Sequence, residues 1–252
     1  MNRWHALLSN WAISIMLALI VAINLVSSYY ELYFISNAVI LGLIPALLII
    51  YFDKQKLMAT IFCAILILYF VGLICSVPIN FELSSKLSES SFIGAYALMV
   101  FVMIGKLKHV KFEGVVSWYL IIVLLINTYL MYAMFVNVQD SFNDSVNLTL
   151  SVSKGVLLLV MGFLAFAIYL SKETSQTILF LTIVCCFVFA DVLSFTNSLY
   201  VQFWLFEGFQ KTLQGLGLFL LYVYIFNHQE SVKGIVITES AESITESNQL
   251  PV

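Results

Sequence analysis

Eight times along this chain, charged or turn-forming residues give way to an apolar run of 14 to 23 residues, and that recurrence leaves few folds open to it. The runs extend approximately over Trp11–Ser27, Tyr33–Phe52, Leu57–Ser76, Phe92–Gly105, Val115–Val136, Val152–Leu170, Thr177–Thr196 and Trp204–Phe226. A bilayer core of ~30 Å takes about 20 residues of helix at 1.5 Å rise each. In lipid every backbone N–H and C=O group needs an internal partner, which a helix supplies. With 62% hydrophobic and 10% charged residues and a mean hydropathy of +1.02, the chain lies far from the balance of soluble domains, in which roughly a quarter of residues are charged. The expected fold is an all-α polytopic membrane bundle of about eight helices over residues 1–226. The first run follows Arg3 but has no small-x-small exit, so it is expected to be retained as a helix and not cleaved as a signal.

The loops orient the bundle. When alternate loops are assigned to opposite sides, one side collects Arg3, Lys54, Lys56, Lys106, Lys108, Lys111, Lys172 and Lys233, and the other only Lys86. Such a bias places both termini in the cytoplasm, in keeping with an even number of helices. The acidic loops around Glu31, around Glu82 and Glu89, and around Asp140 and Asp144 then face outward. Short loops suit a bacterial inner membrane. Residues 227–252 turn to Ser, Thr and Glu and are expected to form a short, disordered cytoplasmic tail, too small for an output domain. A net charge of −3 gives no reason to expect nucleic acid as a partner; membrane lipids are the expected surroundings.

Ionisable residues inside a membrane helix cost about 2.5 to 3.5 kcal/mol each at its centre, so they face a cavity or one another and mark function. Asp191 stands deep in the seventh run, and Lys211 lies at a similar depth in the eighth, about 10 Å from the outer end of its helix. An Asp191–Lys211 ion pair is the expected arrangement. Glu207, Lys211 and Gln214 share one helix face by their spacing of four and three, as do Asp191 and Ser194. Lys154 enters the sixth helix near its outer end and either joins this group or, as the favoured expectation, extends its amine to the interface. Asn24, Asn37 and Asn127 also fall in the outer halves of their helices, which suggests one polar pocket opening outward. The four cysteines lie in apolar runs and read as small buried hydrophobes. His5, His109 and His228 stand at segment ends without metal-ligand spacing, so neither metal nor cofactor is expected.

The eight-helix layout and the Phe189-Ala190-Asp191-Val192-Leu193 segment resemble the lysoplasmalogenase-like YhhN family, whose seventh helix carries a similar run ending in Ser-Asp. Gly72 resembles the glycine of that family's Gly-Asp motif, with Leu73 where the acid would stand; Asn37-Ala38 replaces a Lys-Pro, and Val102 stands near the place of a histidine. Gly94 and Gln214 resemble a glycine and a glutamine of the family. The resemblance implies hydrolysis of the vinyl-ether bond of a lysolipid, with a proton delivered to carbon and water added, which positioned acids perform. In that reading Asp191 is a general acid or electrostatic stabiliser, tuned by Lys211 and oriented by Gln214 and Ser194. Two others stay open. A diverged member keeps the fold without the activity, or a non-catalytic membrane protein binds a lipid or small solute or scaffolds a partner. Transport is a weaker third.

The orientation is open to direct test. Reporter fusions in the Asp140 loop are expected to be external and those at the C-terminus cytoplasmic; a cytoplasmic Asp140 loop overturns the assignment.

Overall fold

The computed structural model describes residues 11–30, 32–54, 58–77, 82–107, 115–138, 144–171, 174–199 and 203–247. Within them the chain is all-helical: α1 (Trp11–Tyr29), α2 (Tyr33–Lys54), α3 (Thr60–Ser76), α4 (Glu82–Leu107), α5 (Val115–Val138), α6 (Ser145–Ser171), α7 (Ser175–Leu199) and α8 (Trp204–Ser247). Among the described residues five helices, α2 and α4 to α7, are long and apolar enough to cross a membrane; Ala18–Tyr29 and Thr60–Ser76 are shorter apolar stretches. The basic loop residues Arg3, Lys56, Lys108, Lys111 and Lys172, and Asp140, lie outside the described residues.

Consecutive helices pair: α3 with α4, α6 with α7, and α7 most extensively with α8. The chain closes on itself because α8 also packs on α1 and α2, and α4 reaches across to α6. Helix α5 packs chiefly on α6, and its residues from Trp118 to Tyr132 are largely exposed. At the bundle centre Tyr69, Phe92, Tyr96 and Phe187 form an aromatic cluster, with Tyr69 ring centroids 5.0 Å from Phe92 and 5.3 Å from Phe187. Helix α3 stops at Ser76 because Pro78 follows; Val77, the residue before it, is extended, as the proline ring requires.

Two boundaries differ from the sequence reading. The fourth helix begins at Glu82, ten residues before Phe92, because its polar first turns are not loop. Ser84 donates to the Cys75 carbonyl at 2.6 Å and Ser88 to the Gly72 carbonyl at 2.8 Å, so these hydroxyls sew α4 to α3. Glu89 therefore lies within a helix, not in an external loop. The eighth helix continues as regular backbone to Ser247, through the segment expected to be a disordered tail from residue 227. Nothing in that stretch is a proline before Pro251, and a lone Gly234 costs a helix only about 1 kcal/mol. Of the four free cysteines only Cys186 is buried; Cys63 and Cys75 are half-buried, and Cys185 is exposed on α7.

Close packing of α3 on α4 depends on a missing side chain. A Cβ at Gly72 would stand 2.9 to 3.1 Å from the Phe92 ring, which Tyr69 holds in place. Gly72→Ala is expected to lower stability by about 1 to 3 kcal/mol, measured by thermal unfolding in detergent. Gly42→Ala, with no neighbour within 4 Å of the new methyl, serves as the unperturbed control.

Candidate functional site

Three helices bring charge together in the apolar bundle. The Lys154 ammonium on α6 lies 2.7 Å from Asp191 Oδ1 on α7 and 3.3 Å from Glu89 Oε2 on α4. The Tyr96 hydroxyl, two turns beyond Glu89 on α4, donates to Asp191 Oδ2. Lys154 also stands 5.2 Å from the centroid of the Phe92 ring, a cation–π distance. Only 14% of the Lys154 and 16% of the Asp191 side chain is exposed, against 33% for Glu89. A buried ion is tolerated only when paired and hydrogen-bonded, and Asp191 has both an ammonium and a phenol. Glu89 is less completely held, since its Oε2 is within ion-pair distance of Lys154 but outside hydrogen-bond geometry.

Behind Asp191 the polar contacts give way to aromatic packing: the Tyr96 ring lies 6.3 Å from that of Tyr69, whose hydroxyl accepts from the Gln214 amide at 2.9 Å. Gln214, expected to orient Asp191, donates instead to Tyr69. In front of the cluster is a cavity of about 630 Å³ between α5, α6 and α7. Glu89, Lys154, Asp191, Ser151, Ser194 and Asn127 supply its polar lining, and the rest is Leu, Val, Met and Phe with Gly155, Gly162 and Cys185. Asn127 spends its amide on the Val123 carbonyl of its own helix, 2.8 Å away. Phe135 of α5 meets Phe195 of α7 at 5.2 Å beside the polar end.

No family model, curated protein or solved structure matches the chain.

Three expectations are corrected. Asp191 pairs with Lys154 and not with Lys211; the Lys211 ammonium donates to Asn37 Oδ1 on α2. Equal depth does not make two side chains face each other. The α8 face toward α7 is marked by Gly217, where a Cβ would stand 3.1 to 3.3 Å from the Phe187 ring. Lys211, six residues earlier, is rotated by about 120° from it at 3.6 residues per turn. Nor does Lys154 reach for the interface: its amine is turned inward between two carboxylates, which hold it more strongly than the headgroup region would. Finally, the outer-half polar residues form two groups. Asn127, Lys154, Asp191 and Ser194 line the cavity. Asn37 with Lys211, and Asn24 accepting from Ser36 at 3.2 Å, belong to the α1, α2 and α8 side, with Glu207 one turn before Lys211.

Glu89 and Tyr96 escaped the sequence reading, though both carried a signal. They are seven residues apart, hence on one helix face, and Ser84, Ser88 and Ser91 recur at helical spacing around Glu89. At the same end of the bundle, Lys86 meets Asp144 at 2.6 Å. The hydrogen bond from Lys86, helped by the Val146 N–H at 3.0 Å, holds the Asp144 carboxyl below the usual carboxylate range. Among the described residues no cluster of His, Cys, Asp and Glu could hold a metal ion.

Removing the shared cation should be costly. Lys154→Met leaves two carboxylates facing each other in the bundle and is expected to lower stability by about 3 to 5 kcal/mol, read from unfolding in detergent. Adding Asp191→Asn is expected to restore part of the loss, and an unchanged unfolding temperature for the single variant would exclude the ion pair.

Proposed function

We propose that this chain is a multi-pass protein of a bacterial inner membrane, with eight spans and both termini cytoplasmic, that takes a single-chain lysolipid into the cavity between α5, α6 and α7 and hydrolyses its vinyl-ether bond. The proposal takes up the resemblance to lysoplasmalogenase-like YhhN proteins. One observation carries it: a second acid, Glu89, stands with Asp191 on the same ammonium at the polar end of an otherwise apolar cavity. Leu73 occupies the place of the acid in the resembled motif, and Glu89 offers a carboxyl from the neighbouring helix instead.

The division of labour follows from the contacts. Asp191, gripped by Lys154 and Tyr96, serves as the fixed carboxylate that stabilises positive charge. Glu89, less tightly held, is the group that moves a proton. In the reaction Glu89, having taken up a proton and left the ammonium to Asp191, gives that proton to the outer carbon of the vinyl ether, and the double-bond pair forms the new C–H bond. The resulting oxocarbenium ion lies against the Asp191 carboxylate. Water adds to its carbon while the Glu89 carboxylate takes a proton from that water, and the hemiacetal so formed releases a fatty aldehyde and an alcohol. General acid–base steps of this kind are worth about 10²- to 10⁴-fold in rate.

A second reading is favoured by the same grip on Asp191. If the cluster serves only to hold a polar head, the protein is a non-catalytic amphiphile binder and Lys154 with Asp191 is its anchor.

Purified protein is expected to release aldehyde from lysoplasmalogen, with Glu89→Gln slowed at least about 100-fold and Asp191→Asn slowed in parallel with retained folding. Binding without aldehyde release from the unaltered protein would support the second reading; neither binding nor release would sink both.

A further inference from the structure

Gly162 lines the cavity from α6, and beyond its chain neighbours and the adjacent backbone of its own helix no atom lies within 4 Å of the position its Cβ would take. It differs in this from Gly155, one face of which is filled by Phe135 at 3.1 Å and Met131 at 3.4 Å. Gly155 lets helices approach, whereas Gly162 leaves space for something else.

The depth of that space follows from helix rise. Phe166 is twelve residues beyond Lys154 on α6 and Leu181 ten residues before Asp191 on α7, so both lie about 15 to 18 Å from the charged cluster. Both line the cavity, and Leu120 of α5, only 2% exposed, lines it at the same far end. The apolar part of the cavity is thus about half of the ~30 Å hydrocarbon core deep, the thickness of one leaflet. Gly162 lies eight residues beyond Lys154, about 12 Å down, or two thirds of the way to that floor.

We propose that the cavity selects its ligand by chain length, favouring a single chain that reaches one leaflet deep, and that Gly162 keeps the lower third of the slot open. The inference rests on the reading that the cavity receives a single-chain amphiphile. Up to the floor, each further methylene leaves water for an apolar wall and raises affinity about fourfold. Beyond the floor, a longer tail meets Leu120, Phe166 and Leu181 and gains nothing. A leucine at position 162 would fill the slot from about 12 Å downward, so the last favourable chain becomes about one third shorter.

The test compares the unaltered protein with Gly162→Leu, Gly162→Ala and Gly105→Leu in phosphatidylcholine nanodiscs. Gly105 has equally open surroundings but does not line the cavity. The probes are saturated lysophosphatidylcholines of graded chain length, each displacing a radiolabelled short-chain member. Taking the ratio of two proteins' affinities at each length cancels the partition of the probe into the bilayer. The expected ratio for Gly162→Leu is near one for short chains, which also shows that the variant is folded, and falls by about fourfold per methylene once the tail passes position 162. Gly162→Ala shifts the break less, and Gly105→Leu does not shift it. A ratio that stays flat, or falls equally at all lengths, overturns the length selection while leaving the amphiphile site standing. Failure of the unaltered protein to bind any member removes the amphiphile reading itself.

Discussion

The Lys154 ammonium holds Asp191 and Glu89 together from three different helices, and the bundle depends on it. Each of these charges is expensive among apolar side chains, and each is bearable only because the others are present. Removing one leaves an uncompensated charge, so the cluster makes α4, α6 and α7 commit to one mutual arrangement. Tyr96 extends that constraint, since its hydroxyl can reach Asp191 only if α4 keeps its register against α7. Beside Tyr96, Tyr69 accepts from Gln214, which ties α3 and α8 together behind the same aromatic cluster. A polar thread of ion pairs and hydrogen bonds thus runs through the core, joined by the packing of the Tyr69 and Tyr96 rings.

The same thread explains why the cavity lies where it does. Helices α3, α4, α6, α7 and α8 are drawn inward by the cluster and by the aromatic packing of Tyr69, Phe92, Tyr96 and Phe187. Helix α5 carries no charged residue and supplies no partner to the ion cluster, so nothing polar pulls it in. It touches α6 where Gly155 admits Phe135, and α7 through Phe135 and Phe195, and below those contacts the space stays open. One charged end and one apolar slot, side by side, are the shape of an amphiphile. The functional reading follows from that shape and from the second acid.

Much of the architecture was legible in the residues because it follows from composition and length alone. Apolar runs of about 20 residues in a chain with 10% charge can satisfy their backbone in lipid only as helices, and the described residues form eight helices within a few residues of most of those runs, five of them long and apolar enough to cross a membrane. The fourth was drawn short because Ser84, Ser88 and Glu89 read as loop, whereas their partners lie on other helices. Hydropathy cannot see a partner. Asp191 likewise announced itself as a buried acid in an apolar run, and Lys154 and Ser194 were named among its candidate neighbours.

Which of these residues meet was beyond the reach of one-dimensional spacing. Depth along a helix can be counted from the sequence at 1.5 Å per residue, but the rotation of one helix against another is set by packing across the whole bundle. That rotation turns Lys211 toward Asn37 and leaves Asp191 to Lys154. It likewise brings Glu89 in from what read as an external loop. Apolar helices, their approximate extents and the presence of a costly acid are local properties of the chain, carried by hydrophobicity and helix rise; the identity of the acid's partners, the second carboxyl and the slot beneath them depend on contacts between residues as much as 95 positions apart, and only the assembled bundle can specify those.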